Sequence, residues 1–251
     1  MTGRVLHVSP HPDDEAVGCP AFYRALVDSG LHVVNLLTSL GQAQDHARRR
    51  DEAQRAADLA GADLVVVEDA VAAPDLASFE AVVAAALADQ VARGDVLVVL
   101  APSPHDNHPR HEAVGRATVS ALEGTDVAIL LYAVWGSLPL PTAVFPCDET
   151  ALDGAEALLR CYAGEVDRND YVALVRHRAV SARVLAAEQV FGFGSVQDLP
   201  GVGAEVYTEA RHRGGRWLAG VPRLLDPASL LAEPSHRDIT AWLTSPSARD
   251  L

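Results

Sequence analysis

Histidine and acidic residues concentrate at two places in this sequence of 251 residues. The first is His11-Pro12-Asp13-Asp14-Glu15, directly after a short β-rich run. Pro12 suits a first helical position, and carboxylates suit the positive end of a helix dipole. Three consecutive acids nevertheless repel one another unless a cation lies nearby. Since His11 and Asp14 are three residues apart, one helical turn can direct both at a single cation, and Asp13 stays free to act as a base. The motif favours a metal site over a merely acidic helix start.

A second cluster contains three histidines within seven residues: His105, His108 and His111. By itself such a segment is only suggestive, because many histidine-rich loops are simply polar. It follows the fourth predicted strand, however, and the first cluster follows the first strand. In the commonest doubly wound order, 3-2-1-4-5, strands one and four are neighbours, and ligands bind where their carboxyl ends separate. Two segments roughly a hundred residues apart are therefore expected to meet in one crevice.

Apolar runs alternate with helical patterns in the first half of the chain. Strands are predicted over residues 4–9, 32–38, 64–67, 96–100 and 127–131, and helices up to Ser29 and over residues 45–59, 78–91 and 111–122, with Gly30 ending the first helix and Ser78 as an N-cap. Strands that alternate with helices imply a parallel sheet covered on both faces. The predicted fold class is α/β, a Rossmann-like doubly wound and mostly parallel sheet of order 3-2-1-4-5.

The second half of the chain has a different rhythm. Helices are predicted over residues 151–162 and 171–190 and a late strand over 204–209, before a proline-rich, loop-rich tail after Trp217. We expect a single domain over residues 1–251. Its core would be residues 1–135, and residues 136–251 would complete the pocket.

Composition and charge exclude several classes of protein. The net charge of −14 and the pI near 5.0 argue against nucleic acid and anionic membranes as partners. The three cysteines are too few for a disulfide framework. Carboxylates stand after the first strand where a dinucleotide site needs a glycine-rich turn. Neither a signal peptide nor a membrane-spanning run is apparent. The sequence predicts a cytoplasmic protein acting on a small molecule, and a homo-oligomer is left open.

Two histidines and one carboxylate are the ligand count of a catalytic zinc site, which keeps a position open for water. The predicted ligands are His11, Asp14 and His111, with iron(II) and cobalt(II) as open alternatives to zinc. Asp13 would take a proton from water as general base. His108 would face the developing oxyanion or protonate the leaving amine. The place of His105, beside the metal or in a solvated loop, is left open.

At these motifs the sequence resembles the PIG-L/LmbE-like N-acetylglucosaminyl deacetylase family. The resemblance rests on HPDDE at residues 11–15 and HPRH at 108–111, with support from Leu37-Thr38, from Arg49 and Glu52, and from the helix over 176–190. It implies a Rossmann-like fold, one zinc ion and hydrolysis of an amide, with the same ligands and the same base as above. It further implies a transition-state role for His108, a substrate contact for Arg49 and a structural role for Glu15.

One position departs from the family pattern. Arg110 stands where the family usually has an aspartate that supports the neighbouring histidine. A cation at this position is expected to lower the pKa of His108. Asp106 is the residue that could replace the missing aspartate from the other side.

The expected function is removal of an acyl group, acetyl first of all, from the amide nitrogen of an amino-sugar-containing molecule. Three alternatives are kept: an amidase acting on a larger amide such as a thiol-cofactor conjugate, a non-haem Fe(II) oxygenase with the same triad, and an inactive metal-binding homologue. Trp135 could line the pocket because it follows strand five, and Asp45 and His46 could touch the substrate.

Overall fold

The computed structural model describes residues 3–246, and a sheet of nine strands runs through this part of the chain. The strands are β1 (Arg4–Ser9), β2 (His32–Leu37), β3 (Asp63–Val66), β4 (Val96–Pro102), β5 (Ala128–Tyr132), β6 (Ala143–Cys147), β7 (Gly203–Arg213), β8 (Arg216–Ala219) and β9 (Arg223–Leu224). Their order is β3-β2-β1-β4-β5-β7-β6-β9, and β8 pairs with β7. The first five strands pair in parallel. The predicted α/β fold and the order 3-2-1-4-5 are therefore confirmed.

Helices cover both faces of the parallel strands. They are α1 (Asp14–Gly18), α2 (Pro20–Asp28), α3 (His46–Ala60), α4 (Glu68–Val71), α5 (Leu76–Val91), α6 (Pro109–Leu122), α7 (Glu149–Leu159), α8 (Ala163–Val166), α9 (Tyr171–Phe191) and α10 (Thr240–Leu243). Short 3₁₀ turns lie at Ala43–Asp45 and Pro227–Ser229. Within residues 3–246 no helix has the length and apolar character needed to cross a membrane.

Alternate residues of β1 face two separate apolar layers. Val5 belongs to the layer that includes Phe22 and Leu26 of α2, whereas Leu6 belongs to the layer that includes Phe79 of α5. Successive side chains of a strand point to opposite faces, so a strand covered on both sides buries the side chains of both faces. Each large side chain buried in this way stabilises the fold by roughly 1.5–3 kcal/mol. The two layers hold β1 and β4 side by side and fix where their carboxyl ends lie.

Several element boundaries differ from the predictions. The first helix is two helices, because the chain breaks at Cys19 and Pro20 starts α2 at a position where its missing N–H costs nothing. The N-cap of α5 is Asp75, whose carboxylate accepts from the N–H of Ser78, so the prediction of Ser78 as the cap was wrong. Gly30 follows α2 with a φ of 82°, as the prediction required.

The second half contains more sheet than the sequence indicated. The late strand extends over eleven residues as β7, and it pairs antiparallel with β5, β6 and β8. Strand β6 escaped prediction because it is short and contains Pro146, and the tail after Trp217 contributes β9 and α10 rather than loop alone. These strands extend the sheet beyond β5.

Candidate metal centre

The first motif lies in a tight turn between β1 and α1. Asp13 caps α1 with a φ of 116°, a backbone conformation that is strained for a residue with a side chain. Such strain costs about 1–3 kcal/mol and concentrates at functional sites. The N–H of His11 donates to Oδ2 of Asp14 at 2.6 Å, which fixes the Asp14 carboxylate against its own turn. Asp13 and Asp14 both line the same cavity.

The second motif lies where β4 passes into α6. His108 is the N-cap residue of α6, Pro109 takes the first helical position, and His111 follows in the first turn. The helix approaches the preceding loop closely at Gly115, where an added Cβ would lie 2.5 Å from the backbone nitrogen of Pro104. A side chain at Gly115 would therefore displace the segment that carries the histidines.

The two motifs converge as the fold predicted. Nδ1 of His11 lies 3.4 Å from Oδ2 of Asp14, and Nε2 of His111 lies 3.2 Å from Oδ1 of the same carboxylate. Ring nitrogens of His11, His108 and His111, one from each, lie within 4.8 Å of one another. The structure thus places the three predicted ligands around one point and brings His108 to the same point.

Asp106 holds His111 from the side opposite to Asp14. Its Oδ2 accepts from Nδ1 of His111 at 2.7 Å. Its Oδ1 accepts from three backbone N–H groups, those of Val134, Trp135 and Gly136, at 2.7, 3.0 and 3.0 Å. Burial lowers the pKa of His111, but Asp14 and Asp106 outweigh burial and raise that pKa to about 10. A ring between two carboxylates retains positive charge, as a proton or as a bound cation.

Asp13 lies in the cavity among other acids. Burial raises the pKa of its carboxyl well above the usual value, and the charges of Asp14 and Glu165 add to this, while Arg49 opposes it. By contrast, the pKa of Asp14 is held well below its usual range, because His111 and His11 outweigh burial. The adjacent carboxyls are therefore in opposite electrostatic situations. One is suited to ligate a cation and the other to exchange a proton.

Of three consecutive arginines, only the middle one lines the cavity. Nη2 of Arg49 donates to Oε1 of Glu165 at 2.5 Å, and both side chains are largely buried. Arg48 pairs with Glu52, and Arg50 pairs with Glu68 on the surface. The substrate contact that the resemblance implies for Arg49 is thus consistent with its place in the cavity wall.

Arg110 does not act on His108 as expected. Its guanidinium lies over the ring of Phe79, 4.6 Å from the centroid, in the interface between α6 and α5. The pKa of His108 is lowered to about 4, but burial and the neighbouring His11 and His111 cause this. Asp106, the residue that could replace the missing aspartate, hydrogen-bonds His111, and its charge opposes the lowering of the His108 pKa.

Glu15 and His105 occupy different surroundings. Glu15 is buried beneath the motif, where it accepts from the hydroxyl of Tyr162 and from the amide of Asn35 at 3.4 Å, and burial raises its pKa to about 7. It therefore connects the first motif to β2 and to the α7–α8 junction. Nε2 of His105 lies 2.7 Å from the carbonyl oxygen of Trp242 in α10, away from the other histidines.

The residues converge on a cavity of about 470 Å³. Its wall also includes residues to which sequence reasoning assigned no role, namely Val17, Gln42, Val134, Glu165, Arg168 and Tyr171. Trp135 lines the cavity, as its position after strand five suggested. Asp45 and His46 are not among the lining residues: Asp45 pairs with Arg48, and His46 contacts the carbonyl of Gly41. A weak signal for the missed group existed: charged and aromatic residues crowd between α7 and α9.

The donor set fits a divalent cation. His11, Asp14 and His111 offer two imidazoles and a carboxylate, the kind of set that zinc and iron(II) accept with positions left open. Since Asp106 accepts at Nδ1 of His111, Nε2 is the ring nitrogen left to bind a cation beside Asp14. An imidazole that is oriented by a carboxylate in this manner is the usual outer support of a metal ligand.

Comparison with known proteins agrees with these observations. Residues 6–122 match the sequence profile of the family described as PIG-L: GlcNAc-PI de-N-acetylase. A search of curated proteins gave no significant match.

Solved structures share the fold at low sequence identity. The A40926 pseudoaglycone deacetylase Dbv21 is 18% identical with a TM-score of 0.62, over 85% of this chain and 100% of that one. The N,N'-diacetylchitobiose deacetylase from Pyrococcus horikoshii is 17% identical with a TM-score of 0.60, over 82% and 83%. The 4-carboxy-2-hydroxymuconate hydratase GalB from Pseudomonas putida is 19% identical with a TM-score of 0.60, over 85% and 98%. The match over residues 6–122, with both histidine motifs on this shared fold, confirms the predicted resemblance to the PIG-L/LmbE-like deacetylase family.

Proposed function

We propose that this protein is a metal-dependent hydrolase that removes an acetyl group from the nitrogen of an amino-sugar-containing small molecule. The observation that carries the proposal is the carboxyl group of Asp13, which lies beside the predicted ligands and is not one of them. Asp13 shares a cavity with His11, Asp14 and His111, and its pKa is raised while that of Asp14 is lowered. An oxygenase with the same triad needs no such base, whereas hydrolysis does.

His11, Asp14 and His111 would hold the cation. When bound, it would polarise an amide carbonyl and lower the pKa of water. Asp13 would accept a proton from the attacking water, and its raised pKa suits a group that must also release that proton. His108 faces the same point and would stabilise the developing oxyanion or deliver a proton to the leaving amine. Asp106 would keep the ring of His111 in its orientation.

The rest of the cavity suits a polar, hydroxyl-rich ligand. Arg49, Arg168 and Glu165 offer charged donors and acceptors, and Trp135 and Tyr171 add two aromatic rings in a T-shaped pair with centroids 6.3 Å apart. Sugars are bound in proteins through hydrogen bonds and apolar ring contact, which this wall provides. The deacetylases with similar structures are named for glycopeptide and chitobiose substrates, and this supports an amino sugar here.

Fold similarity alone does not choose the reaction, since a hydratase shares the fold. The test is a screen for amine release across N-acetylglucosaminides, before and after treatment with a chelator and after re-addition of zinc, iron(II) or cobalt(II). We expect release of acetate and free amine that a chelator abolishes and one of the metals restores. Release that persists unchanged in chelator would contradict a metal-dependent mechanism.

The oxygenase alternative is separated by running the same screen without oxygen. Acetate release should continue anaerobically, because hydrolysis consumes only water. Zinc as the resident metal, the cytoplasmic location and the single-domain organisation stay predictions from the sequence.

A further inference from the structure

A second cavity, of about 240 Å³, lies behind the wall of the metal centre. Val17 lines both cavities, and the loop after β5 lines the first with Val134 and Trp135 and the second with Ala133 and Gly136. Most of its other wall is apolar, with small and branched side chains from α9 and β7. Whole small-molecule sites measure roughly 300–1,000 Å³, so this volume suits one arm of a ligand.

Arg178 of α9 brings a positive charge into this cavity. Its Nη2 donates to the carbonyl of Ala133, but its Nη1 is shielded from solvent and has no hydrogen-bond partner within residues 3–246. No carboxylate in the described part of the chain lies within the 4.0 Å of an ion pair from its guanidinium. A buried cation without a carboxylate partner is costly and calls for an anion.

Two carboxylates, Asp106 and Glu205, act on Arg178 through their charge, and Glu205 is itself part of the cavity wall. Both are already hydrogen-bonded to other groups. Glu205 accepts from the N–H groups of Ala21 and Phe22 at 2.8 and 2.9 Å and from the hydroxyl of Tyr207 at 2.7 Å. Asp106 accepts from His111 and from three backbone N–H groups. Both acids raise the pKa of Arg178, against the larger effect of burial, but neither contacts it. Nη1 therefore keeps a donor that no group in the described part of the chain uses.

We propose that this cavity binds a carboxylate carried on a short apolar arm, with the carboxylate on Arg178 and the arm against the apolar wall. Arg178 also contacts the loop that Asp106 holds. Only this loop and Asp106 would therefore separate an occupant on Arg178 from His111. That the arm is part of a substrate rests on the proposed function, because the two cavities share a wall. The binding site itself does not depend on that function.

The test is calorimetric titration of the purified protein with 4-methylpentanoate and with its isosteric amide, 4-methylpentanamide. We expect the carboxylate to bind the wild type at least tenfold more tightly than the amide. Arg178→Gln should reduce the affinity for the carboxylate at least tenfold. Arg176→Gln is the matched control: it lies two residues away and pairs with Glu149 and Asp153 on the surface. It should bind as the wild type does.

A second variant places the ligand independently of Arg178. Ala182 lines the cavity, and Ala182→Phe would fill it without touching the metal centre. This variant should bind neither compound. Equal affinity of the wild type for carboxylate and amide, or carboxylate binding that survives in Ala182→Phe, would overturn the proposal even if Arg178→Gln fails to fold. Carboxylate binding by a protein that releases no amine in the substrate screen would support this site and contradict the proposed function.

Discussion

Two regions of the molecule build the cavity in different ways. The loops after β1 and β4 supply all three imidazoles and the adjacent acids from two short segments. The region after β5 supplies Trp135, Glu165, Arg168 and Tyr171 from a loop, two helices and the turn between those helices. Strand ends at a switch point are rigid and close together, whereas loops and helix ends vary freely. The candidate catalytic residues therefore come from the ends of β1 and β4, whereas the segments after β5 determine the shape of the pocket.

Asp13→Asn should show the largest effect, because it removes the base and leaves the ligands in place. We expect the rate of amine release to fall about 10²- to 10⁴-fold, as for loss of a general base. Metal content should stay at the wild-type level. Steady-state kinetics and elemental analysis measure the two.

The control for this variant is Asp45→Asn, since Asp45 pairs with Arg48 outside the cavity wall. Its rate should match the wild type. A rate for Asp13→Asn close to that of Asp45→Asn would show that Asp13 is not the general base.

His7, buried in β1 beneath the first motif, should make the stability of the fold depend on pH. Burial lowers its pKa to about 4, although a hydrogen bond to Asn35 opposes this. The unfolded chain takes up a proton near pH 6.5 while the folded protein does not until about 4, so stability falls as the pH drops through this window. At 1.36 kcal/mol per pKa unit the loss approaches about 3 kcal/mol.

Urea unfolding from pH 7 to 4 measures this contribution. His7→Gln should be less stable at pH 7 but should lose less stability on acidification than the wild type. Equal acid dependence of the two proteins would mean that His7 is not the group responsible.

Arg49 and Arg50 separate an ion pair that builds the cavity from one on the surface. The exposed fractions are 12% and 11% for Arg49 and Glu165, but 42% and 62% for Arg50 and Glu68. Arg49→Gln should cost about 1.5–3 kcal/mol of unfolding free energy, as for a charged hydrogen bond. Arg50→Gln should cost at most about 1 kcal/mol.

The same two variants bear on the substrate. Arg49→Gln should raise KM for the acetylated amine, and Arg50→Gln should leave it unchanged. Identical KM values for both variants would show that Arg49 does not contribute to substrate binding.

Asp106→Asn should give the smallest effect. It retains a side chain that can accept at the loop of Val134 but removes the charge that orients His111. Loss of such an outer support typically weakens metal binding about 10- to 100-fold. Competition with a chelating dye measures this affinity, and His105→Gln, on the same loop but directed at α10, serves as the control. Unchanged affinity in Asp106→Asn would show that His111 needs no such support.

The contrast between the regions also explains how far the sequence could be interpreted. The convergence of the two motifs could be predicted because HPDDE and HPRH are each an unbroken run of residues and because the order 3-2-1-4-5 brings their strands together. The position of Arg110 could not, because only the packing of α6 on α5 takes its guanidinium to Phe79. Glu165 and Arg178 lie on helices and Arg168 lies in the turn between α8 and α9, and nothing local in the sequence distinguishes an inward charge from a surface one. Strand β6 was missed because Pro146 is unusual within a strand.

The central claim is that His11, Asp14 and His111 jointly hold one divalent cation. Elemental analysis of the purified wild type, of His111→Ala and of His105→Ala tests it most directly. We predict about one metal ion per chain in the wild type and in His105→Ala, as the single site of three protein ligands implies, and near-complete loss in His111→Ala. Metal retained at wild-type stoichiometry and affinity by a correctly folded His111→Ala protein would contradict the account.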